Sequence, residues 1–310
     1  MCTGAQPSAL EVRAHAKVNL ALQVVGRRPD GYHEVRMVMT PLALYDRLRV
    51  SVTPAELTVT VDDPGIPSGP ENLAYRAALA LKEAAGCPLG ATIGIEKRIP
   101  AAAGLGGGSA DAAAVLLALN RLWDLGWPLE RLQRLAAPLG ADIPFCLLGR
   151  TALVEGIGER LTPLPPVPPV PVVVATPEVR WPGPKTATVY RAWRPLAPAE
   201  RAEPDRVLAA LRRGDPAALA AALGNDLEPG ATGLQPVIGR LKAAMVQAGA
   251  LGAVMAGAGP SVVALCPDAE VAAAVAAAAR PLARWVVVTA LAGEVDPFAP
   301  PAPSPGGGQA

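Results

Sequence analysis

The chain has 310 residues, 51% of them hydrophobic, enough for one large domain or two modest ones with a sizeable core. Its 28 basic and 27 acidic residues leave a formal net charge of +1, so no broad field draws it to nucleic acid or membrane, and an aromatic share of 4% argues against a base-stacking platform. Cys2, Cys87, Cys146 and Cys266 form no C-x-x-C pair, and neither an export signal nor a membrane-spanning stretch is visible, so the expectation is a cytoplasmic protein with reduced thiols.

Residues 1 to 8 read as a frayed leader. Val12 to Val25 is extended, and Gly26-Arg27-Arg28-Pro29-Asp30-Gly31 supplies turn chemistry. Val35 to Leu44, Arg47 to Thr53 and Leu57 to Val61 read as three further strands. A helix starts at Glu71-Asn72-Leu73 and stops at Gly86. Ala91 to Ile99 is a strand leading into a glycine-rich loop, and Ser109 to Asp124 is the helix after it. Leu129 to Ala137 is a short helix and Thr151 to Glu155 a strand. Six prolines between Pro163 and Pro171 make a semi-rigid spacer, which divides the chain into 9–162 and 163–295. Beyond it, Val170 to Ala175 is a buried-type strand, and Pro204 to Arg213, Pro216 to Leu223 and Leu234 to Ala248 are helices. Strands Ala253 to Met255 and Val262 to Cys266 flank a second glycine turn, Gly257-Ala258-Gly259-Pro260-Ser261. Ala269 to Ala279 is a helix and Trp285 to Thr289 the last strand, and residues 296–310 read as a disordered tail.

The glycine-rich loop is Pro100-Ala101-Ala102-Ala103-Gly104-Leu105-Gly106-Gly107-Gly108-Ser109-Ala110. Without Cβ atoms its backbone N–H groups can converge on an anion at the start of a helix, where the dipole favours negative charge. It is not a Walker A loop, because no lysine precedes Ser109, and it lacks the third glycine of a dinucleotide fingerprint. A linker or a tight glycine turn is the bland alternative. Elsewhere, Lys17 and Asn19 share one face of a strand with Val18, Leu20 and Leu22 on the other, a pattern that fits either an anion grip or a solvated face. Asp142 is a single acid in the small, apolar run Leu139-Gly140-Ala141-Asp142-Ile143-Pro144, where a helix N-cap is the simpler reading.

Pro-x-x-x-Gly-Leu-Gly-Gly-Gly-Ser-x-Asp-Ala-Ala resembles the ATP loop of the GHMP kinase superfamily. Ala16-Lys17-Val18-Asn19-Leu20, Asp30-Gly31-Tyr32-His33 and Gly140-Ala141-Asp142-Ile143-Pro144 are similar to segments of its branch that acts on a cytidine-diphosphate-linked methylerythritol in non-mevalonate isoprenoid synthesis. The resemblance implies an α+β, two-domain GHMP kinase fold: a ribosomal protein S5 domain 2-like N-terminal domain and a ferredoxin-like C-terminal domain around a cleft. It implies ATP, carried with Mg2+, held by residues 100–110 (Pro100 through Ala110) and Asn72. It implies Asp142 as base and Lys17 as its electrostatic partner, with Asn19, Tyr32, His33, Thr186 and Tyr190 on the small-molecule substrate. The pattern departs at Met255-Ala256-Gly257-Ala258-Gly259, where hydroxyls usual in the family are absent, and at Met39, where a second aromatic is common. A homoserine- or mevalonate-type kinase and a catalytically silent nucleotide-binding protein are the alternatives; neither predicts the full set of Lys17, Asp142 and Tyr32-His33.

Overall fold

The computed structural model describes residues 8–299. Two long strands, β1 (Ala9–Arg27) and β2 (His33–Thr53), pair antiparallel across the Arg28–Gly31 turn. β2 is unbroken where the sequence reads as two strands, because Tyr45 and Asp46 stay paired with His15 and Ala14. β3 (Leu57–Val61) and β4 (Gly90–Glu96) extend this sheet on one side, and β5 (Ala152–Gly156) and β6 (Arg160–Pro163) continue it from the first half of β2. Helices α1 (Leu73–Ala85) and α2 (Gly107–Leu122) cover one face. α1 buries Ala74, Ala77, Ala78 and Leu81, the stripe expected at helical spacing, and ends at Gly86 with φ +58°. α2 is alanine-rich on its inner side, which lets it lie close to α1, and its Leu116 and the following Trp123 join Ile93 of β4 in the core. α3 (Leu129–Ala136) and the short α4 (Ile143–Leu148) lead back to β5.

The second sheet contains β7 (Pro171–Thr176), which is followed by α5 (Lys185–Ala192), α6 (Pro204–Arg213) and α7 (Pro216–Ala221). A two-residue strand, β8 (Gly224–Asn225), then pairs parallel with β1, so the second half of the chain reaches into the first sheet. After α8 (Glu228–Leu234) and α9 (Pro236–Gln247) come β9 (Gly252–Met255), β10 (Val262–Leu265), α10 (Ala269–Ala279) and β11 (Trp285–Ala290). The antiparallel order β11-β7-β10-β9, with a helix before β9 and another before β11, is the βαββαβ ferredoxin-like arrangement expected above. Val18 and Leu20 of β1 pack with Val172, Val174 and Val263, so the two sheets share a core at the back of the cleft.

Disorder from residue 296 does not hold for its first four residues. Pro297 accepts a hydrogen bond from the Arg13 amide at 2.8 Å, and the Phe298 ring lies 3.5 Å from the Arg121 guanidinium carbon, an apolar and cationic clasp that fixes the segment. Residues 300–310, and 1–7 of the expected leader, lie outside the described residues. No helix among the described residues is long and apolar enough to cross a membrane.

Candidate active site

The register of β1 sets the site. A shift in its pairing with β2 between Asn19 and Ala21 breaks the alternation. Val18 and Leu20 therefore enter the shared core, while Leu22, expected beside them, turns to the cleft with Lys17 and Asn19. Lys17 is only 4% exposed and Asn19 1%. The Lys17 amide donates to the Leu105 carbonyl at 2.9 Å, anchoring the strand under the glycine-rich loop. Its ammonium donates to Asn19 Oδ1 at 3.1 Å and lies 3.2 Å from Asp142 Oδ2. Asp142 sits at the N-cap position of α4, but its carboxylate caps nothing; it faces Lys17 and remains about a third exposed.

The glycine-rich loop interlocks with the second glycine turn. Gly104 has φ +85°, and a Cβ there would stand 2.1 Å from the Ala256 carbonyl oxygen; one on Gly106, φ +73°, would stand 2.9 Å from Lys17 Cγ. Glycine at these two positions is thus required by close approach as well as by backbone angle. α2 begins at Gly107, so unpaired N–H groups of its first turn open onto the cleft beside Lys17. Pro100 to Gly104 and Gly106 to Ser109 line that cleft. Leu105 and Ala110 do not: Leu105 is buried in the core shared with β1, and Ala110 lies on the inner face of α2. Asn72 lines the cleft, yet its amide is occupied, accepting from the Ala74 amide and donating to the Pro67 carbonyl, each at 2.8 Å.

At the far end, His33 at the start of β2 stacks on Tyr190 of α5 with ring centroids 4.9 Å apart and 35° between planes. Trp193, just past α5, meets His33 edge-on at 5.7 Å. Burial, with Arg27 nearby, holds His33 below the usual imidazole range, and burial near Asp142 pushes the Tyr190 phenol up. Thr186 lines the same wall, and Tyr32, 63% exposed, stands at the mouth. Trp193 was not legible as a site residue, because no local pattern sets it apart from the polar loop that follows. Met39 is fully buried and faces the interior; Met37 borders the cleft instead, its sulfur accepting from Asn19 Nδ2 at 3.2 Å.

A buried charge cluster also escaped the sequence reading. Lys97, after β4, lies between Asp46 of β2 and Asp111 of α2, with Nζ 2.7 Å from Asp111 Oδ2. One ammonium serves two buried carboxylates, and Asp111 Oδ1 has no partner among the described residues. Burial, together with the Asp46 charge and against the pull of Lys97, raises Asp111 to about 7. A carboxyl raised on folding binds its proton more tightly in the native state, so native stability falls as pH climbs from its ordinary value toward about 7. Asp111→Asn lacks this loss. Melts of both proteins from pH 5 to pH 8 are expected to bring the variant up by roughly 1 to 3 kcal/mol relative to the parent; a constant difference would refute the assignment.

The glycine-rich loop, the Lys17–Asp142 pair and the aromatic wall border one cleft of about 1650 Å³, larger than a single small ligand needs and fit for two in line. Among the described residues no group of three or more His, Cys, Asp or Glu is placed to hold a metal ion. Ser109, Asp111 and Asp142 bring side-chain oxygens to the cleft near the loop, but Asp111 is paired with Lys97 and Asp142 with Lys17, a set that suits a hard cation arriving on phosphate oxygens.

Residues 72–150 match the GHMP kinases N terminal domain model and residues 207–282 the GHMP kinases C terminal model. Fold and site thus place the chain among the GHMP kinases. A 4-diphosphocytidyl-2-C-methyl-D-erythritol kinase of Symbiobacterium thermophilum is 51% identical over 284 residues, 90% of this chain and 99% of the relative. One of Pelotomaculum thermopropionicum is 47% identical, over 89% and 96%. A crystal structure of 4-(cytidine 5'-diphospho)-2C-methyl-D-erythritol kinase superposes with a TM-score of 0.78 at 43% identity, covering 91% of this chain and 99% of that one. Homoserine kinase from Cytophaga hutchinsonii, at 20% identity and a TM-score of 0.75, shares the fold. The chain belongs to the 4-diphosphocytidyl-2-C-methyl-D-erythritol kinase family.

Proposed function

We propose that the protein transfers the γ-phosphoryl group of ATP to the 2-hydroxyl of 4-diphosphocytidyl-2-C-methyl-D-erythritol, forming the 2-phosphate and ADP on the non-mevalonate route to isoprenoid precursors. The observation that carries this reading is the Lys17–Asp142 pair, 3.2 Å apart, standing between a phosphate-type glycine loop and an aromatic wall in one cleft. Residues 101–109 cradle the triphosphate through backbone N–H groups, and Pro100, which has none, lines the entrance to the loop. The Asn72 amide has both ends engaged, so its part is to fix the start of α1 beside the nucleotide. His33, Tyr190 and Trp193 offer ring surface for cytosine, with Tyr32 and Thr186 at its edge.

Asp142 accepts the proton of the attacking hydroxyl as its oxygen bonds to phosphorus and the bond to the ADP oxygen breaks. Lys17 pairs with the Asp142 carboxylate, orients it toward the reacting hydroxyl and meets charge on the phosphoryl oxygens, and Asn19 fixes the direction of the ammonium. Mg2+ bound with the nucleotide would neutralise phosphate charge, with the Ser109 hydroxyl as a protein oxygen beside it. In a loose transition state, this positioning and electrostatic fit supply most of the rate. An ADP-release assay with the cytidine diphosphate alcohol, homoserine and mevalonate tests the reading. Turnover is expected on the first alone; none on it, or faster turnover on another, overturns the assignment.

A further inference from the structure

The second glycine turn contributes no side-chain donor to the cleft. Ala256, Gly257, Ala258 and Gly259 carry none, and the Ser261 hydroxyl is fully buried 2.8 Å from Thr176 Oγ1. Yet the turn borders the reacting centre, since a Cβ on Gly257 would lie 3.4 Å from Lys17 Nζ. Lys185, the first residue of α5, reaches this gap from the substrate side. Its ammonium donates to the Ala102 carbonyl at 3.0 Å and to the Gly259 carbonyl at 2.7 Å, tying both glycine loops to α5. An ammonium has three N–H donors, and these two bonds leave one for the cleft that Lys185 lines.

We infer that Lys185 is a second phosphate-gripping cation of this site, donating its third N–H to the terminal phosphate of ATP and supplying the side-chain contact that the 256–259 turn lacks. This rests on the proposed kinase reading. A lysine suits the role as a compact point charge, and charge-assisted bonds to phosphate are the stronger kind. Two carbonyl acceptors hold the ammonium in place before the nucleotide arrives, so little rotamer freedom is lost on binding. Burial and the Lys17 charge from β1 pull Lys185 down to about 8, with Asp142 ahead of α4 pulling the other way, and a bound phosphate would restore the proton.

Calorimetric titration of ATP and ADP into the parent, Lys185→Met and Lys185→Arg, at fixed excess Mg2+, tests this. Lys185→Met is expected to weaken ATP about tenfold to a hundredfold while changing ADP by less than about threefold. Lys185→Arg should recover most of the preference. Equal weakening of both nucleotides marks a structural tether only and overturns the inference, as does no weakening. If Lys185→Met fails to fold, the pH series decides. The parent should lose ATP-over-ADP preference as pH rises from 7 to 9.5, and Lys185→Arg should keep it; matching slopes overturn the inference. Absent turnover with the ATP preference still dependent on Lys185 would sink the substrate assignment and leave this inference standing.

Discussion

Asp142→Asn is expected to lower the turnover number at saturating ATP by about a hundredfold to ten-thousandfold, with nucleotide affinity within about threefold of the parent. The size follows from the loss of a proton acceptor at the attacking oxygen. Nucleotide affinity is spared because the glycine loop and the α2 N-terminus offer the phosphates backbone N–H groups, which the variant leaves unchanged. Asparagine keeps an oxygen to accept from Lys17, now 3.2 Å from Asp142 Oδ2, so the buried ammonium is not stranded. Melting temperature should therefore stay within a few degrees of the parent, which separates lost chemistry from lost fold. Single-turnover measurement gives the cleanest reading, because it isolates the chemical step from product release. Turnover within tenfold of the parent would remove Asp142 from the role of base.

How much of this was legible in the chain depended on how local the signal is. α1 announces itself through Glu71-Asn72-Leu73 at the start and Gly86 at the stop, and α6 and α10 span Pro204–Arg213 and Ala269–Ala279, as read from the sequence. The strands of the second sheet are apolar runs between turns, and their positions were readable. Three helices were not. α4 has six residues and opens Ile143-Pro144, α5 is rich in β-branched residues (Lys185-Thr186-Ala187-Thr188-Val189-Tyr190), and α8 holds a proline and two glycines. Tertiary packing overrides propensity in each. The shift within β1 is equally silent in the sequence, and it decides which residues face the cleft. The site divides along the same line. Lys17, Asp142 and the glycine loop carry motifs; Trp193, Lys97 and the Lys185 contacts depend on partners far along the chain, 51 positions for Lys97 and Asp46, 83 for Lys185 and Ala102. No window of neighbouring residues contains that information.

Asp46→Ala is expected to cost about 3 to 5 kcal/mol of stability and to loosen the nucleotide end of the cleft with it. Asp46 is fully buried, and its carboxylate holds three donors: Lys97 Nζ, the Arg98 amide at 2.6 Å and the Ile99 amide at 2.8 Å. Alanine leaves two backbone N–H groups and half the pairing of an ammonium unsatisfied where little water enters. Those amides belong to the segment that joins β4 to Pro100, so their release reaches the glycine loop within two residues. Asp46→Asn separates the two components. Its oxygen can still accept from the backbone, but the charge is gone, leaving Lys97 to Asp111 alone. The pressure that raises Asp111 then falls, because the neighbouring negative charge is one of its causes. Urea unfolding of both variants at pH 7 should show Asp46→Ala as the worse by about 1 to 3 kcal/mol, the cost of stranded amides. Should the two fall together, the cluster acts through charge alone, and the carboxylate's hold on the 98–99 backbone contributes nothing to the shape of the loop.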